Sequence, residues 1–261
     1  MSQTASGSDL ITGSMTHLAT AASKQKKAVI VGVVVLLAAT LAGSLYLSKR
    51  NAFRTQASEA LFKARQTLSV EMKALAESMK PAEKKPEPLA KGAKAPAKPE
   101  TKLPALDFAK FDVDGKLKSG IAELEKVAEE FPGTQAGFDA KMQLGSLYFD
   151  HGAAAETYEK SAKWFDRAAS TAPSSEQTVF ALYSLGYAQE ALNRCGDAVK
   201  TFDRAVNTGS GSLQGELLRA KARCQETLGD KAAAKATYEN IIKILPNSEA
   251  AKYAEVKKST L

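Results

Sequence analysis

The sequence is poor in the residues from which most enzyme sites are built. Two histidines, two cysteines and one tryptophan are spread over 261 residues. His17 stands alone in a stretch of Ser, Thr, Ala and Gly, with no second ligand near it, which argues against a metal role. His151, in FDHG at the end of a helical run, reads as a capping or solvated residue rather than a catalytic base. Cys195 and Cys224 belong to no CxxC. There is no Walker loop, HExxH or GxSxG. Gly209, Gly211 and Gly215 form GxGxxxG, the wrong spacing for a dinucleotide loop, and they follow a helical run. The carboxylates are scattered along polar helix faces without a focused pair. These absences point away from an enzyme and away from a bound metal or cofactor.

Basic charge is likewise missing where nucleic-acid binding would need it. The net charge of +7 divides unevenly. Residues 1–104 carry 16 Lys and Arg against 7 Asp and Glu, whereas residues 105–261 carry 20 against 22. A nucleic-acid-binding domain places its basic patch on the fold itself. Here the excess lies beside an apolar segment and in a spacer, so no nucleic-acid partner is expected.

That apolar segment is Ala28 to Leu47, AVIVGVVVLLAATLAGSLYL, twenty residues without a charge or a proline. As a helix rising 1.5 Å per residue it is roughly 30 Å long, about the hydrocarbon thickness of a bilayer. It is longer than the h-region of a signal peptide and ends in Leu47-Ser48-Lys49-Arg50, not in a small-x-small cleavage site. Ser44 occupies the place where a lipoprotein would need its acylated cysteine. The run is read as a single membrane anchor. Lys24, Lys26 and Lys27 flank one side and Lys49, Arg50 and Arg54 the other, so flanking charge does not orient it.

Glycine and proline are absent from Leu45 to Met79, so the anchor helix is free to run on. Phe53, Ala57, Leu61, Ala64, Leu68, Met72, Leu75 and Met79 recur every three or four residues on one stripe. Two uses fit such a stripe: packing on the domain that follows, which is favoured, or a coiled-coil dimer, for which the heptad signal is weak. Lys80 to Pro104 then holds six of the nine prolines and seven lysines, with almost nothing to bury. It reads as a solvated linker or insertion. Its Pro96 and Pro99 have PxxP spacing, a pattern that Pro/Lys/Ala spacers match by chance.

The other three prolines, Pro132, Pro173 and Pro246, each close an amphipathic helical run, which is a repeat signature. Ser161, Phe165 and Ala168 align with Ala198, Phe202 and Ala205 at an offset of 37, and these with Ala234, Tyr238 and Ile241 at 36. A second helix precedes each run. Leu144-Gly145 in the first matches Leu185-Gly186 in the second, and Ala222 takes the glycine place in the third. Helix 117–131 lacks an adjacent first helix, which helix 51–79 could supply across the insertion. Glu249 to Ser259 reads as a closing helix.

With these positions the chain resembles the tetratricopeptide repeat, which has a small residue at its eighth position, an alanine and an aromatic four apart on its second helix, and a closing proline. The resemblance implies an all-α fold, a single transmembrane helix followed by a tetratricopeptide-repeat (TPR-like) helical solenoid. Five segments follow: a disordered N-terminal tail over 1–23, the anchor over 24–50, a juxtamembrane amphipathic helix over 51–79, a Pro/Lys/Ala-rich linker over 80–105 and the TPR-like domain over 106–261. The family lines its partner groove with positions 2, 5, 9 and 12 of each first helix. Carried over, these are Asp139, Met142, Ser146 and Phe149; Phe180, Tyr183, Tyr187 and Glu190; and Glu216, Arg219, Arg223 and Glu226. Aromatic residues at helical spacing also serve as core, and that reading stays open for Phe180, Tyr183 and Tyr187. The Lys and Asn that the family uses to clamp a C-terminal carboxylate are missing. An apolar or extended segment is expected instead, with a charged end at Arg219 and Arg223.

The whole layout, with LRAKARCQETLGDKAAAKATYENIIK near its end, is similar to the YfgM family. That resemblance implies an inner-membrane protein with a cytoplasmic N-terminus and a periplasmic repeat domain. It also implies the SecYEG translocon and periplasmic chaperones as partners. Two alternatives remain. One is a cell-envelope scaffold like the cell-division coordinator, with which FPGT at Phe131 and LPNSEAA at Leu245 share phrasing. The other is a cytoplasm-facing adaptor. In this fold Cys195 and Cys224 fall on neighbouring helices, either as a disulfide or, preferably, as two small buried residues.

Overall fold

The computed structural model describes residues 26–78, 112–152, 154–209 and 211–261. The expected tail over 1–23 and the linker over 80–105 lie outside the described residues. Every element is helical: α1 (Lys26–Ser78), α2 (Val113–Lys116), α3 (Lys118–Glu130), α4 (Gln135–His151), α5 (Ala155–Ser170), α6 (Ser175–Ala191), α7 (Cys195–Gly209), α8 (Gln214–Thr227), α9 (Lys231–Ile244) and α10 (Glu249–Thr260). A three-residue 3₁₀ turn, Gly211–Leu213, joins α7 to α8. The positive φ of Gly209 (110°) and Gly211 (46°) makes this glycine-rich stretch a helix-to-helix connector.

The chain divides into two units, residues 1–53 and 54–261. The anchor and the juxtamembrane segment are parts of the single helix α1, the continuation that the lack of Gly and Pro over residues 45–79 left open. It is the one helix among the described residues that is long and apolar enough to cross a membrane. Its most apolar window has a mean hydropathy of 2.3 and buries nothing. Ile30 to Leu37, Leu41 and Leu45 to Leu47 all present apolar side chains outward. Water gives such a surface no stabilisation, whereas hydrocarbon does.

The second unit is a stack of helix pairs. Each helix from α3 onward packs on the next, and alternate helices also touch, α6 on α8 and α8 on α10. Turn chemistry sets the boundaries. Thr134, Ser174, Asp230 and Ser248 accept hydrogen bonds from the first-turn amides of Gly137, Gln177, Ala233 and Ala251. The expected proline stops hold: α3, α5 and α9 end two or three residues before Pro132, Pro173 and Pro246. Asn193 and Asn247 adopt φ of 58° and 64°, the left-handed conformation that asparagine tolerates in a turn.

The aligned repeat positions are the core. Ser161, Phe165 and Ala168, then Ala198, Phe202 and Ala205, then Ala234, Tyr238 and Ile241 are all buried. Full burial of Phe202 or Tyr238 contributes roughly 1.5–3 kcal/mol apiece. The small residue on each first helix makes room for the ring. A Cβ added at Gly145 would lie 2.5 Å from the Phe165 ring, and one at Gly186 would collide with the Phe202 ring in the same way. One feature escaped the sequence reading. The Thr201 hydroxyl donates to Gln189 at 2.8 Å, and 36 residues later Thr237 donates to Gln225 at 2.8 Å. A polar pair that satisfies itself, partly buried in the first case and buried in the second, is thus repeated with the core.

The stripe on residues 54–78 is used for packing. Ala57, Leu61, Ala64 and Leu68 are buried against Leu117, Ile121, Leu124 and Val127. Glu71 accepts from the amides of Ser119 at 3.0 Å and Gly120 at 2.9 Å. Leu117, the N-cap of α3, offers no side-chain cap, so a carboxylate from 49 residues earlier satisfies the orphan donors of that helix end. Arg65 reaches Gln143 at 3.0 Å and Asp139 at 3.5 Å on α4. α1 thereby serves as the first helix of the first repeat. Cys195 and Cys224 are buried free thiols rather than a disulfide. Burial pushes the Cys224 thiol far up, and the adjacent Cys195 thiol adds to it.

Candidate functional site

The crossing residue of each first helix fixes the register of its open face. Counting six and three residues back and one and four forward from Gly145, Gly186 and Ala222 gives the twelve positions expected to line the groove. In α1 the crossing residue is Leu68, because a Cβ on Gly120 would lie 2.7 Å from the Leu68 Cα. The same count gives Phe62, Arg65, Ser69 and Met72. Phe62 is 69% exposed, and it joins Arg65, Gln135 and Asp139 around a cavity of about 300 Å³. Phe62 and Arg65 were missed from sequence because the register of α1 is visible only once Gly120 has found Leu68.

In the middle of the face, Phe149 on α4 and Tyr183 and Tyr187 on α6 converge. With Ser146, Asp150, Ser184 and the Phe165 ring they surround an open cavity of about 240 Å³. Tyr183 and Tyr187 are tilted with centroids 4.8 Å apart, and Phe149 meets Tyr158 at 5.5 Å. Tyr187 also places an edge on Phe202, 6.0 Å away, so the stripe is both a wall of the open face and a cover of the core. Burial pushes the Tyr183 phenol up to about 12, with the Tyr187 hydroxyl adding to it. It is a neutral donor at any physiological pH. Phe180 stands half exposed at 48%, toward the α7–α8 connector.

The remaining expected residues are placed differently. Met142 is buried among Phe138, Phe165 and Leu182 on the packing side. The arginines expected as a charged end are already engaged. Arg223 forks onto Glu190 with bonds of 2.5 and 2.6 Å and lies 5.4 Å from the Tyr187 ring. The Glu190 carboxylate, joined by the Tyr187 hydroxyl, raises its already high basicity against the effect of burial. Arg219 pairs with Glu216 at 2.8 Å and stacks 4.5 Å over Tyr253. Glu226 accepts from the Tyr238 hydroxyl and from Lys257 at 3.1 Å. Burial would raise its carboxyl, but these donors outweigh that and hold it below the usual range. Glu226 therefore ties α8 to α9 and α10. The charged end is neutralised from within, and the free part of the face is aromatic. No His/Cys/Asp/Glu group among the described residues is arranged to hold a metal.

A family profile described as tetratricopeptide repeat matches residues 218–248, which span most of α8, all of α9 and the closing turn. No curated protein matches the chain. The profile match and the repeated crossings support a tetratricopeptide-repeat protein, a class of protein-interaction scaffolds that is generally non-catalytic.

Proposed function

We propose that this chain is a membrane-anchored scaffold whose repeat domain stands in the periplasm and holds extended polypeptide or chaperone segments, close to the Sec translocon. The observation that carries the reading is the convergence of Phe149, Tyr183 and Tyr187 on one open cavity. These rings face outward although the crossings beneath them are already filled by Phe165 and Phe202. The anchor supports the membrane part of the reading, since its apolar surface has no cover among the described residues. The periplasmic side and the translocon are expectations drawn from the layout that resembles the YfgM family.

Two measurements test it together. Alkaline phosphatase fused after Leu261 is expected to be active, because that enzyme matures only outside the cytoplasm. A photo-crosslinking residue at position 180 or 146 is expected to capture translocon subunits or periplasmic chaperones in living cells. An inactive fusion with capture of cytoplasmic proteins alone would overturn both the orientation and the partner.

A further inference from the structure

The cavity beside Tyr183 carries a charge that no cation among the described residues answers. Asp150 lies on the last turn of α4, exposed, at the edge of the ring-lined cavity. No described residue forms an ion pair or hydrogen bond with it, in contrast to Glu190, Glu216 and Glu226 on the same open face. No cation lines the cavity. The nearest arginine of the stripe, Arg223, is committed to Glu190.

The volume sets the size of the occupant. About 240 Å³ falls below the roughly 300–1,000 Å³ of small-molecule sites, and suits one long side chain. Three candidates can be weighed on charge. A carboxylate would meet Asp150 and the negative faces of the rings. A purely apolar side chain would fill the volume but draw Asp150 out of water without a partner, an uncompensated cost. A lysine or arginine satisfies both walls, its stem against the rings and its head at the carboxylate. Among the described residues this chemistry occurs at Lys160 on Tyr148, Arg167 on Trp164, Arg219 on Tyr253 and Arg223 on Tyr187.

Resting on the groove reading above, we infer that the Phe149–Tyr183–Tyr187 cavity with Asp150 is a subsite for a single basic side chain of an extended polypeptide. The groove would then select basic residues within apolar segments rather than apolar segments at large.

The test uses the full chain in nanodiscs of zwitterionic lipid, so that the probes do not bind the bilayer by charge. The probes are dye-labelled nonapeptides with identical leucine–serine flanks and a central lysine, arginine, acetyl-lysine, norleucine or glutamate. Lysine and arginine peptides are expected to bind about tenfold tighter than the norleucine peptide. Asp150→Asn is expected to erase that preference, weakening the lysine and arginine peptides while the norleucine peptide binds at least as well, because the cost of covering the charge is gone. Ser146→Trp, at an exposed position on the cavity wall, is expected to weaken every peptide. Equal binding of lysine and norleucine peptides, or a preference that survives Asp150→Asn, overturns the basic subsite. If Ser146→Trp still weakens all peptides in that case, the groove reading stands without it. If no peptide binds, or Ser146→Trp changes nothing, the groove reading falls and takes the subsite with it.

Discussion

The first helix pair, α1 with α3, and the third, α6 with α7, solve the same crossing with opposite sizes. In the third, glycine sits on the first helix and a large ring on the second, Gly186 beneath Phe202. In the first, the large residue is Leu68 on α1, and the glycine is Gly120 on α3. Between α6 and α7 the chain turns within three residues, whereas α1 and α3 are separated by 39. Helices joined by a short turn are held together by the chain, and between α6 and α7 a single side-chain bond among the described residues, Thr201 to Gln189, accompanies the apolar crossing. Helices separated by a long segment must find each other at a larger loop-closure cost. The joint between α1 and α3 carries added polar stitches, Glu71 on two amides of α3 and Thr67 donating to Glu123 at 3.0 Å. The comparison teaches that register at a distant joint is fixed by hydrogen bonds as well as by shape.

The largest expected effect comes from removing the knob of the first joint. Leu68→Ala should cost about 2–5 kcal/mol, the range of a buried leucine truncation. In a stack where each pair touches only its neighbours, the loss should stay local. Hydrogen exchange should quicken over residues 54–78 and 118–130 and remain slow over 181–205. Uniform quickening across the stack would break the picture of separable joints.

At the third joint, Gly186→Leu should overpack the crossing and cost roughly 1–3 kcal/mol or more. The readout is the melting temperature of the full chain. An unchanged value would refute the assigned register.

The second pair, α4 with α5, lies between these two in character and carries two groups whose removal should stabilise. Lys141 is 2% exposed, and its Nζ has no hydrogen-bond partner among the described residues. Burial lowers its basicity and Arg167 lowers it further, with Glu129 partly opposing. A lysine with a depressed folded value binds fewer protons when folded than when unfolded. Stability should therefore rise with pH up to the ordinary lysine range near 10.5 and decline as pH falls below it. Lys141→Met should gain about 1–3 kcal/mol at pH 7. Denaturant melts at stepped pH should show that gain shrinking as pH approaches 10.5.

The smallest effect is expected at Ser161, whose buried hydroxyl also lacks a partner among the described residues. It occupies the place of Ala198 and Ala234 in the later repeats. Ser161→Ala should stabilise by about 1 kcal/mol, since it removes an unsatisfied group without opening a cavity of note. A loss of stability in the same denaturant melts would mean that the hydroxyl is satisfied after all.

Much of the fold was legible in the sequence because repetition makes a weak signal additive. One Leu-Gly pair means nothing, but Phe165, Phe202 and Tyr238 in register with three small residues define helix pairs, and all three rings are buried. The closing prolines placed the ends of α3, α5 and α9 to within two or three residues. The groove was legible only as a set of positions. The offsets named Phe149, Tyr183 and Tyr187, which do meet at one cavity. They also named Met142, which is buried, and Arg219, Arg223 and Glu226, which are paired within the fold.

Local chemistry thus settled by itself where the helices run, which face of each is apolar and which stretch is greasy enough for a bilayer. These properties depend on neighbours within a turn or two along the chain, and such neighbours are written in order. The tertiary structure alone decided that residues 54–78 complete the first repeat, that Arg223 is taken by Glu190 across 33 residues, and that Asp150 has no cation among the described residues. Those outcomes depend on which side chains the stacking brings within a few ångströms. Pairing energies fall off too steeply with distance for sequence separation to reveal them.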